Sequence, residues 1–443
     1  MDIWKMKLDY RIISYKILHI FEYRNESVLI LRKLFLSKIS GDKSIVHRST
    51  VLVNEVIRFR GRLDLMISFI SGKKIRFINK KVLTVLRIGF YEIFFDSKIP
   101  DYAAVDSSVR LAHKFTNKKT KGFANAVLRK LVREKNNNKN WYKELESRRG
   151  WLSIPFWVEK RWKENFGRDS LIKLVEFINQ PPKIFLRCDK MINSKIDNVF
   201  LLKKEGVKTE KYLNQFLIVK SNESKVLSSK PFKNGYISIQ SPSAAAIVGC
   251  LGVEEGDVVL DVCAAPGTKT LQLANEVGNG FIYASDISPE RVLLGRKDKQ
   301  RHGKKNIDWS LKDARKDSFI MADKILIDAP CSGTGVMGRR PDIRWRRSEN
   351  DLIKFAHTQY SILKNCSKYL KKGGTLVYAT CSIEPEENIK VVEQFLSLNS
   401  NYAVEKIPNS VPKSWVKDKI ALNILPHQHG LDGIFAMRMK RLF

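Results

Sequence analysis

Two cysteines stand at the ends of two apolar segments that have the composition of buried strands. Cys331 lies in DAPCSGTG (328–335) and Cys381 lies in YATCS (378–382). A thiolate that adds to an electron-poor ring forms a covalent intermediate, which divides one difficult step into easier ones. An acid can stabilise the charge that develops on the ring, and Asp328 lies three residues before Cys331. This pattern indicates covalent catalysis by cysteine, with Asp328 protonated through burial or sharing a proton with the substrate.

A turn of small residues lies upstream of both cysteines, directly after the strand-like run 257–262. It consists of Cys263, Ala264, Ala265, Pro266, Gly267, Thr268 and Lys269. Small residues let a backbone approach a ligand closely, and the N-terminus of a following helix favours a carboxylate or phosphate. Taken alone, the stretch could be a structural turn. Since it contains neither G-x-G-x-x-G nor G-x-x-x-x-G-K-[ST], a dinucleotide or a nucleoside triphosphate is disfavoured.

Acidic residues follow the next strand-like runs in order, at Asp286, Asp313 and Asp328. A single acid at a strand end is more often a helix cap or a solvated group. In an open α/β sheet, however, ligands bind beyond the carboxyl ends of the strands. We therefore expect Asp286 to accept hydrogen bonds from ribose hydroxyls and Asp313 to lie near an adenine. A nucleoside with a small charged tail fits this pattern, and S-adenosylmethionine is the simplest candidate cofactor.

Hydrophobic periodicity divides the chain into three regions. Residues 1–135 carry apolar side chains at helical spacing and predict an all-α domain. The polar run KNNNKN predicts a linker over 136–150, and residues 151–235 predict a small α+β domain. From 236 to 443, strand-like and helical runs alternate, which predicts an α/β domain with a mostly parallel, doubly wound sheet. The last strand-like run, 434–439, is expected to add an edge strand.

The net charge of the chain is +34, and more than half of the excess lies in the first 150 residues. Such an excess predicts a polyanionic partner, most simply nucleic acid. Candidate contacts lie in the loop after Cys331 and on a predicted helix near residue 130. They are Arg339, Arg340, Arg344, Trp345, Arg129 and Lys130. Each of them could instead be a solvated surface residue.

The six cysteines are scattered and form no C-x-x-C pair, so we expect no metal site. Scattered reduced thiols are typical of a cytoplasmic protein. The N-terminus carries charges from Asp2 onward, and no run approaches the ~20 apolar residues that a bilayer crossing requires. We therefore expect no signal peptide and no membrane partner.

Four segments resemble signatures of the RNA 5-methylcytosine methyltransferases of the NOL1/NOP2/Sun family. They are CAAPGTKT (263–270), DAPCSGTG (328–335), RRPDIRW (339–345) and YATCSIEPEEN (378–388). The resemblance implies a Rossmann-like class I methyltransferase domain that uses S-adenosylmethionine. It implies that Cys381 attacks carbon-6 of a cytosine, so that carbon-5 can accept a methyl group, and that Cys331 assists product release. Thr268 departs from the family pattern, which usually has Gly there.

The N-terminal region resembles the NusB-like RNA-binding domain of the bacterial RsmB (Sun/Fmu) branch of that family. The matching segments are RLDLMI (62–67), LRIGFYEI (86–93), IPDYAAVD (99–106) and KGFANAVLRKL (121–131). This resemblance implies a methyltransferase for a cytosine of 16S ribosomal RNA, unassembled or early-assembled, with no DNA substrate. We expect the protein to be a monomer. Two alternatives stay open: the same chemistry on transfer RNA or another RNA, and a non-catalytic RNA-binding ribosome assembly factor.

Overall fold

The computed structural model describes residues 9–37, 39, 42–138, 140–189 and 196–443. These residues form two compact units. One contains the described residues up to Asn179 together with Arg340–Arg347, and the other contains Gln180–Arg339 and Ser348–Phe443. None of the described helices has the length and apolarity needed to cross a membrane.

The first unit is helical, and its helices begin where Ser27, Asp42, Asn79 and Asn117 cap free backbone N–H groups. The helices are Tyr10–Phe21, Val28–Leu36, Lys43–Arg58, Arg60–Ser71, Lys80–Phe94, Asp101–Phe115, Lys118–Asn137, Lys143–Glu146, Phe156–Phe166, Arg168–Asn179 and Ile343–Arg346, with a 3₁₀ turn at Ile75–Phe77. Gly89 lets three of them pack closely, because a Cβ there would lie 2.6 Å from Leu128 Cδ2 and 2.7 Å from Ser108 Oγ. The predicted all-α fold is confirmed.

The helical unit extends further along the chain than the sequence predicted. Residues 136–150 are not a free linker, because Trp141 and Leu145 are buried in the helical core. Helices Phe156–Phe166 and Arg168–Asn179, assigned above to the small α+β domain, also belong to this unit. Polar residues at 135–140 suggested a boundary, but the apolar side chains that follow supply the packing.

The second unit contains a small antiparallel sheet of four strands in the order β2-β3-β1-β4. The strands are β1 (Phe185–Cys188), β2 (Lys208–Tyr212), β3 (Phe216–Ser221) and β4 (Ile237–Ile239), accompanied by helices Asn198–Lys204 and Lys230–Lys233 and a 3₁₀ turn at Glu223–Ser228. Leu186 and Leu217 pack in the small domain's own core, whereas Phe185 and Phe216 pack with the core of the larger sheet. Burial on both faces explains why β1 and β3 are nearly continuous apolar runs.

The larger sheet has nine strands in the order β11-β12-β13-β9-β8-β5-β6-β7, with β10 paired to β13. They are β5 (Val258–Val262), β6 (Phe281–Asp286), β7 (Ile307–Leu311), β8 (Ala322–Asp328), β9 (Leu370–Thr380), β10 (Tyr402–Val404), β11 (Val416–Lys417), β12 (Ala421–Ile424) and β13 (Ile434–Arg441). Helices Pro242–Leu251, Thr268–Glu276, Pro289–Arg301, Glu349–Cys366, Ile389–Ser397 and Pro426–His429 accompany it, with 3₁₀ turns at Thr334–Val336, Ser367–Tyr369, Pro385–Glu387 and Lys413–Trp415.

Strands β9, β8, β5, β6 and β7 are parallel, which confirms the predicted Rossmann-like α/β class. Chain order reverses at β5, since its neighbours are β6 and β8. The carboxyl end of a strand at such a reversal is where open α/β sheets bind ligands. Strand β13 is antiparallel and lies between β9 and β12, so the prediction of an edge strand at 434–439 is wrong.

Candidate active site

The predicted cofactor turn lies at the carboxyl end of β5, where the chain order reverses. Cys263 and Gly267 have positive φ values of 58° and 105°, and the Ala265–Pro266 peptide is cis. Gly267 is required by space as well as by φ, because a Cβ there would lie 2.8 Å from Trp309 Cζ2. Helix Thr268–Glu276 starts at once and points its free N–H groups at this edge of the sheet.

Asp286 ends β6 and braces this turn. Its side chain is buried, and its Oδ2 accepts a hydrogen bond from Ala265 N at 3.2 Å while its Oδ1 accepts one from Ser288 N at 3.0 Å. Arg291 Nη1 lies 3.2 Å from the same Oδ2. The structure therefore brings Asp286 to the cofactor turn, as the sequence predicted.

Asp313 follows β7 and accepts hydrogen bonds from Arg315 Nε at 2.9 Å and Arg315 Nη2 at 2.7 Å. These bonds lower the pKa of Asp313, so its carboxyl stays ionised. Arg315 is half exposed. The pair is thus a surface ion pair at the end of the third parallel strand.

Lys269 joins the cofactor turn to the end of β8. Its Nζ lies 2.6 Å from Asp328 Oδ2, and only 14% of its side chain is exposed. Burial lowers the pKa of Lys269, but the adjacent carboxyl of Asp328, its hydrogen bond and Asp261 outweigh burial and raise it overall. The site thus holds a charged ammonium against the acid that the sequence singled out.

Asp261, on β5, is a strand-end acid that was not among the predicted cofactor contacts. It is 1% exposed, and its Oδ2 accepts a hydrogen bond from Thr270 Oγ1 at 2.7 Å. Its Oδ1 is buried and has no hydrogen-bond partner among the described residues. Burial raises the pKa of Asp261 to about 7. The available signal was an acidic residue inside the apolar run VVLDV, where an unpaired charge is costly.

The two cysteines meet, as their positions after parallel neighbouring strands predicted. Register pairs Asp328 with Ala379 in strands β8 and β9. Just beyond them, Cys331 Sγ lies 3.1 Å from Cys381 Sγ, and neither cysteine is in a disulfide. The hydrogen bond between the two thiols, together with burial, raises the pKa of Cys331 well above its ordinary value. Cys331 is therefore a neutral thiol next to Cys381.

Cys263, the third cysteine at this edge, has a pKa that burial raises well above the ordinary value. A buried neutral thiol is a poor nucleophile. Cys263 therefore serves as a small lining residue of the turn.

The residues predicted to contact RNA have different surroundings. Arg339 Nε lies 2.6 Å from Asp432 Oδ2, and Arg339 Nη2 donates to Lys183 O at 2.9 Å. Arg340 is exposed, as are Arg129 and Lys130 on helix Lys118–Asn137. These three exposed cations remain candidates for phosphate contact.

Arg344 corrects the sequence analysis, because it is 0% exposed and lies in the helical unit. Its Nη1 donates to the carbonyls of Arg58 and Ser153, both at 3.1 Å, and to Asn179 Oδ1 at 2.7 Å. Trp345 Nε1 donates to Ile57 O at 2.8 Å, and its ring packs on the helical core. The Arg344 side chain thus has no surface for RNA, and Trp345 is largely used in packing rather than in stacking on bases.

Comparisons with known proteins agree with this architecture. Residues 248–440 match the family model of the 16S rRNA methyltransferase RsmB/F, and residues 10–133 match the NusB family. A probable ribosomal RNA small subunit methyltransferase B of Bacillus subtilis is 32% identical over 88% of this chain and 90% of its own length. The ribosomal RNA small subunit methyltransferase B of Pasteurella multocida is 30% identical over 87% and 86%.

A solved structure matches over nearly the whole chain. The crystal structure of PH0851 superposes with a TM-score of 0.78 at 25% sequence identity, covering 99% of this chain and 100% of that one. Together with the two sequence matches, this confirms the resemblance to the Sun-type enzymes. The chain belongs to the RsmB/F methyltransferase family and carries a NusB-type helical domain.

Proposed function

We propose that this protein methylates carbon-5 of a cytosine in 16S ribosomal RNA, using S-adenosylmethionine and a transient bond between Cys381 Sγ and carbon-6 of the base. The observation that carries the proposal is the 3.1 Å separation of the Cys331 and Cys381 sulfurs, beside the Lys269–Asp328 pair. Two adjacent thiols suit a cycle in which one sulfur adds to the ring and must later leave it.

The residues around the cofactor turn fit S-adenosylmethionine. The turn 263–269 offers a small-residue surface and a helix N-terminus, and Asp286 is held at the end of β6, where ribose hydroxyls are expected. The buried Asp261 Oδ1, unpartnered among the described residues, is an acceptor at the same strand end. Asp313 would lie toward the adenine. When bound, the cofactor supplies an electrophilic methyl group on a sulfonium.

The cysteines would divide the work between addition and elimination. The Cys381 thiolate forms a bond to carbon-6, and the ring's electrons then make carbon-5 nucleophilic. After carbon-5 gains its methyl group, a base removes its proton, the bond from sulfur to carbon-6 breaks and the Cys381 thiolate leaves. Cys331 holds its proton, since its pKa is raised, and assists release as the neighbouring thiol. Assigning attack to Cys381 rests on family resemblance, because the sulfur–sulfur distance is symmetric.

Asp328 and Lys269 would stabilise the negative charge that addition places on the pyrimidine. The sequence suggested a protonated Asp328, whereas the structure pairs its carboxylate with the Lys269 ammonium at 2.6 Å. A proton shared across this pair can be offered to a ring nitrogen or oxygen. Lys269 thus joins Asp328 in the proposed stabilisation of charge on the ring, a role that the sequence analysis gave to Asp328 alone.

RNA binding would use exposed cations of the helical unit. Arg129 and Lys130 lie on one exposed face of helix Lys118–Asn137, and Arg340 follows the Cys331 loop. Basic side chains of this kind neutralise phosphates without reading sequence. Because Arg344 is buried, recognition would depend on these three residues rather than on the whole RRPDIRW segment.

The substrate is tested by methylating purified 16S rRNA and bulk transfer RNA in parallel with labelled S-adenosylmethionine. Nucleoside mass spectrometry should find 5-methylcytosine in the ribosomal RNA, at one position by bisulfite sequencing. The named relatives favour ribosomal RNA. Methylation of transfer RNA alone would establish the first alternative, and no methylation of either RNA despite tight binding would favour an assembly factor.

A further inference from the structure

Glu387 places a carboxylate between the two cysteine loops, away from solvent. The residue is 0% exposed and is the last residue of the 3₁₀ turn Pro385–Glu387 after β9. Its Oε1 accepts a hydrogen bond from Ser332 N at 2.7 Å, and its Oε2 accepts one from Ser382 Oγ at 2.6 Å. Ser332 Oγ also donates to Oε2. A buried carboxylate needs several such donors to offset its desolvation.

The two serines that donate to Glu387 are the residues that directly follow the two cysteines in the chain. Ser332 directly follows Cys331, and Ser382 directly follows Cys381. The two serine hydroxyls also lie 3.3 Å from each other. A single carboxylate therefore holds the residue after each thiol, at the place where the two sulfurs lie 3.1 Å apart.

Glu387 is itself fixed to the scaffold on two sides. Gln359 Nε2, on helix Glu349–Cys366, donates to Glu387 Oε1 at 3.0 Å and to Pro330 O, also at 3.0 Å. Tyr378 OH, on β9, donates to Glu387 O at 2.5 Å. The strand that delivers Cys381 and the loop that delivers Cys331 are thus tied to one buried anion.

We propose that Glu387 is a positioning residue that sets the distance between the two reactive thiols. This inference rests on the proposed function for its catalytic meaning, although the geometry it concerns can be measured without any substrate. The hydrogen bonds described for Glu387 join it to Ser332, Ser382, Gln359 and Tyr378, and none of them reaches the turn 263–269. It acts through Ser332 and Ser382, and loss of its acceptor oxygens would let the loops separate.

The charge of Glu387 has a second effect on the site. Alongside the Cys381 hydrogen bond and burial, the Glu387 carboxylate contributes to raising the pKa of Cys331. The same residue therefore adds to the effects that raise the pKa of Cys331, and it also holds the loop of Cys331 beside that of Cys381. Neutralising Glu387 should lower the pKa of Cys331 as well as loosen the pair.

The test uses the full chain with Glu387→Gln, and Glu386→Gln as the matched control. Glu386 is the neighbouring acid in the chain and pairs with the exposed Lys390 at 3.1 Å. The readout is the effective concentration of Cys331 for Cys381, measured at pH 7 in glutathione buffers. Oxidised glutathione takes two electrons and two protons from the two thiols, which form one internal disulfide, and it becomes two molecules of reduced glutathione.

We expect Glu387→Gln to lower this effective concentration by about tenfold, as for loss of charge-assisted hydrogen bonds, and to lower kcat while cofactor affinity is retained. Glu386→Gln should match the wild type in all three measurements. If Glu387→Gln does not fold, Ser382→Ala replaces it, because of the hydrogen bonds to Glu387 it removes only the one from Ser382 Oγ to Oε2. This variant should lower the effective concentration by a smaller factor. If every one of these variants that folds has the effective concentration of the wild type, the inference is overturned. Absence of methyl transfer by the wild type would instead count against the proposed function.

Discussion

Asp261 should make the stability of the methyltransferase sheet depend on pH in the direction opposite to that of an ordinary carboxylate. Burial raises its pKa to about 7, whereas in the unfolded chain it titrates near its ordinary value of 3.8. Between these values the folded state holds a proton that the unfolded state has lost. The contribution of Asp261 to wild-type stability therefore falls as pH rises, and it levels off above the folded pKa.

The magnitude follows from the size of the shift. Each pH unit between the two pKa values costs about 1.4 kcal/mol, which gives on the order of 4 kcal/mol in total. About 2 kcal/mol of this should fall between pH 5.5 and 8.5. Asp261→Asn removes the titration but keeps an acceptor for Thr270 Oγ1, whose bond to Asp261 Oδ2 is 2.7 Å.

The assay is urea unfolding of the cofactor-free chain at several pH values, followed by tryptophan fluorescence and compared between wild type and Asp261→Asn. The difference in unfolding free energy, variant minus wild type, should rise with pH by about 2 kcal/mol over this range. Asp323→Asn is the control. Burial alone would raise the pKa of Asp323, but its bond to Lys371 lowers it overall, so its stabilisation is lost only in acid and its difference should be flat here. A flat difference for Asp261→Asn would refute the reasoning.

Two further substitutions test other parts of the structure. Arg344→Ala removes buried donors to the carbonyls of Arg58 and Ser153 and to Asn179 Oδ1, so it should destabilise the helical unit by about 3 kcal/mol in thermal or urea unfolding. The control, Arg340→Ala at an exposed position, should change the unfolding free energy by less than about 0.5 kcal/mol. Equal effects of the two substitutions would contradict the structural role of Arg344. Gly267→Ala places a Cβ 2.8 Å from Trp309 Cζ2 at a φ of 105°, so it should reduce the affinity for the cofactor by about tenfold or more, as measured by calorimetry. Gly122→Ala is the control and should leave this affinity unchanged, because a Cβ there meets nothing within 4 Å. Unchanged affinity in Gly267→Ala would show that the turn tolerates displacement.

The sequence predicted the meeting of the cysteines because parallel neighbouring strands end at the same edge of a sheet. Strand-like runs before Cys331 and Cys381 were enough to place both thiols there. The small-residue turn at 263–269 was predictable for the same reason, since it follows the strand where chain order reverses. These inferences depend on local pattern and on a general rule of α/β sheets.

Other features depend on partners that are distant in the chain. Arg344 reads as a surface cation, and only the carbonyls of Arg58, Ser153 and Ile178 reveal its burial. Glu387 is one of three acids in EPEEN, and its burial depends on Ser332, which is 55 residues away in the chain, as well as on the nearby Ser382. A local pattern of residues cannot show which distant groups will form hydrogen bonds with a buried charge.

The central claim is that Cys381 bonds to a pyrimidine while Cys331 serves its release. The most direct measurement incubates Cys331→Ala with 16S rRNA and S-adenosylmethionine, resolves products on a denaturing gel and maps any RNA-linked peptide by mass spectrometry. A covalent adduct should accumulate with the RNA attached at Cys381. The adduct should be absent from the double variant that carries both Cys331→Ala and Cys381→Ala. An adduct attached elsewhere, or methyl transfer by Cys381→Ala, would contradict the account.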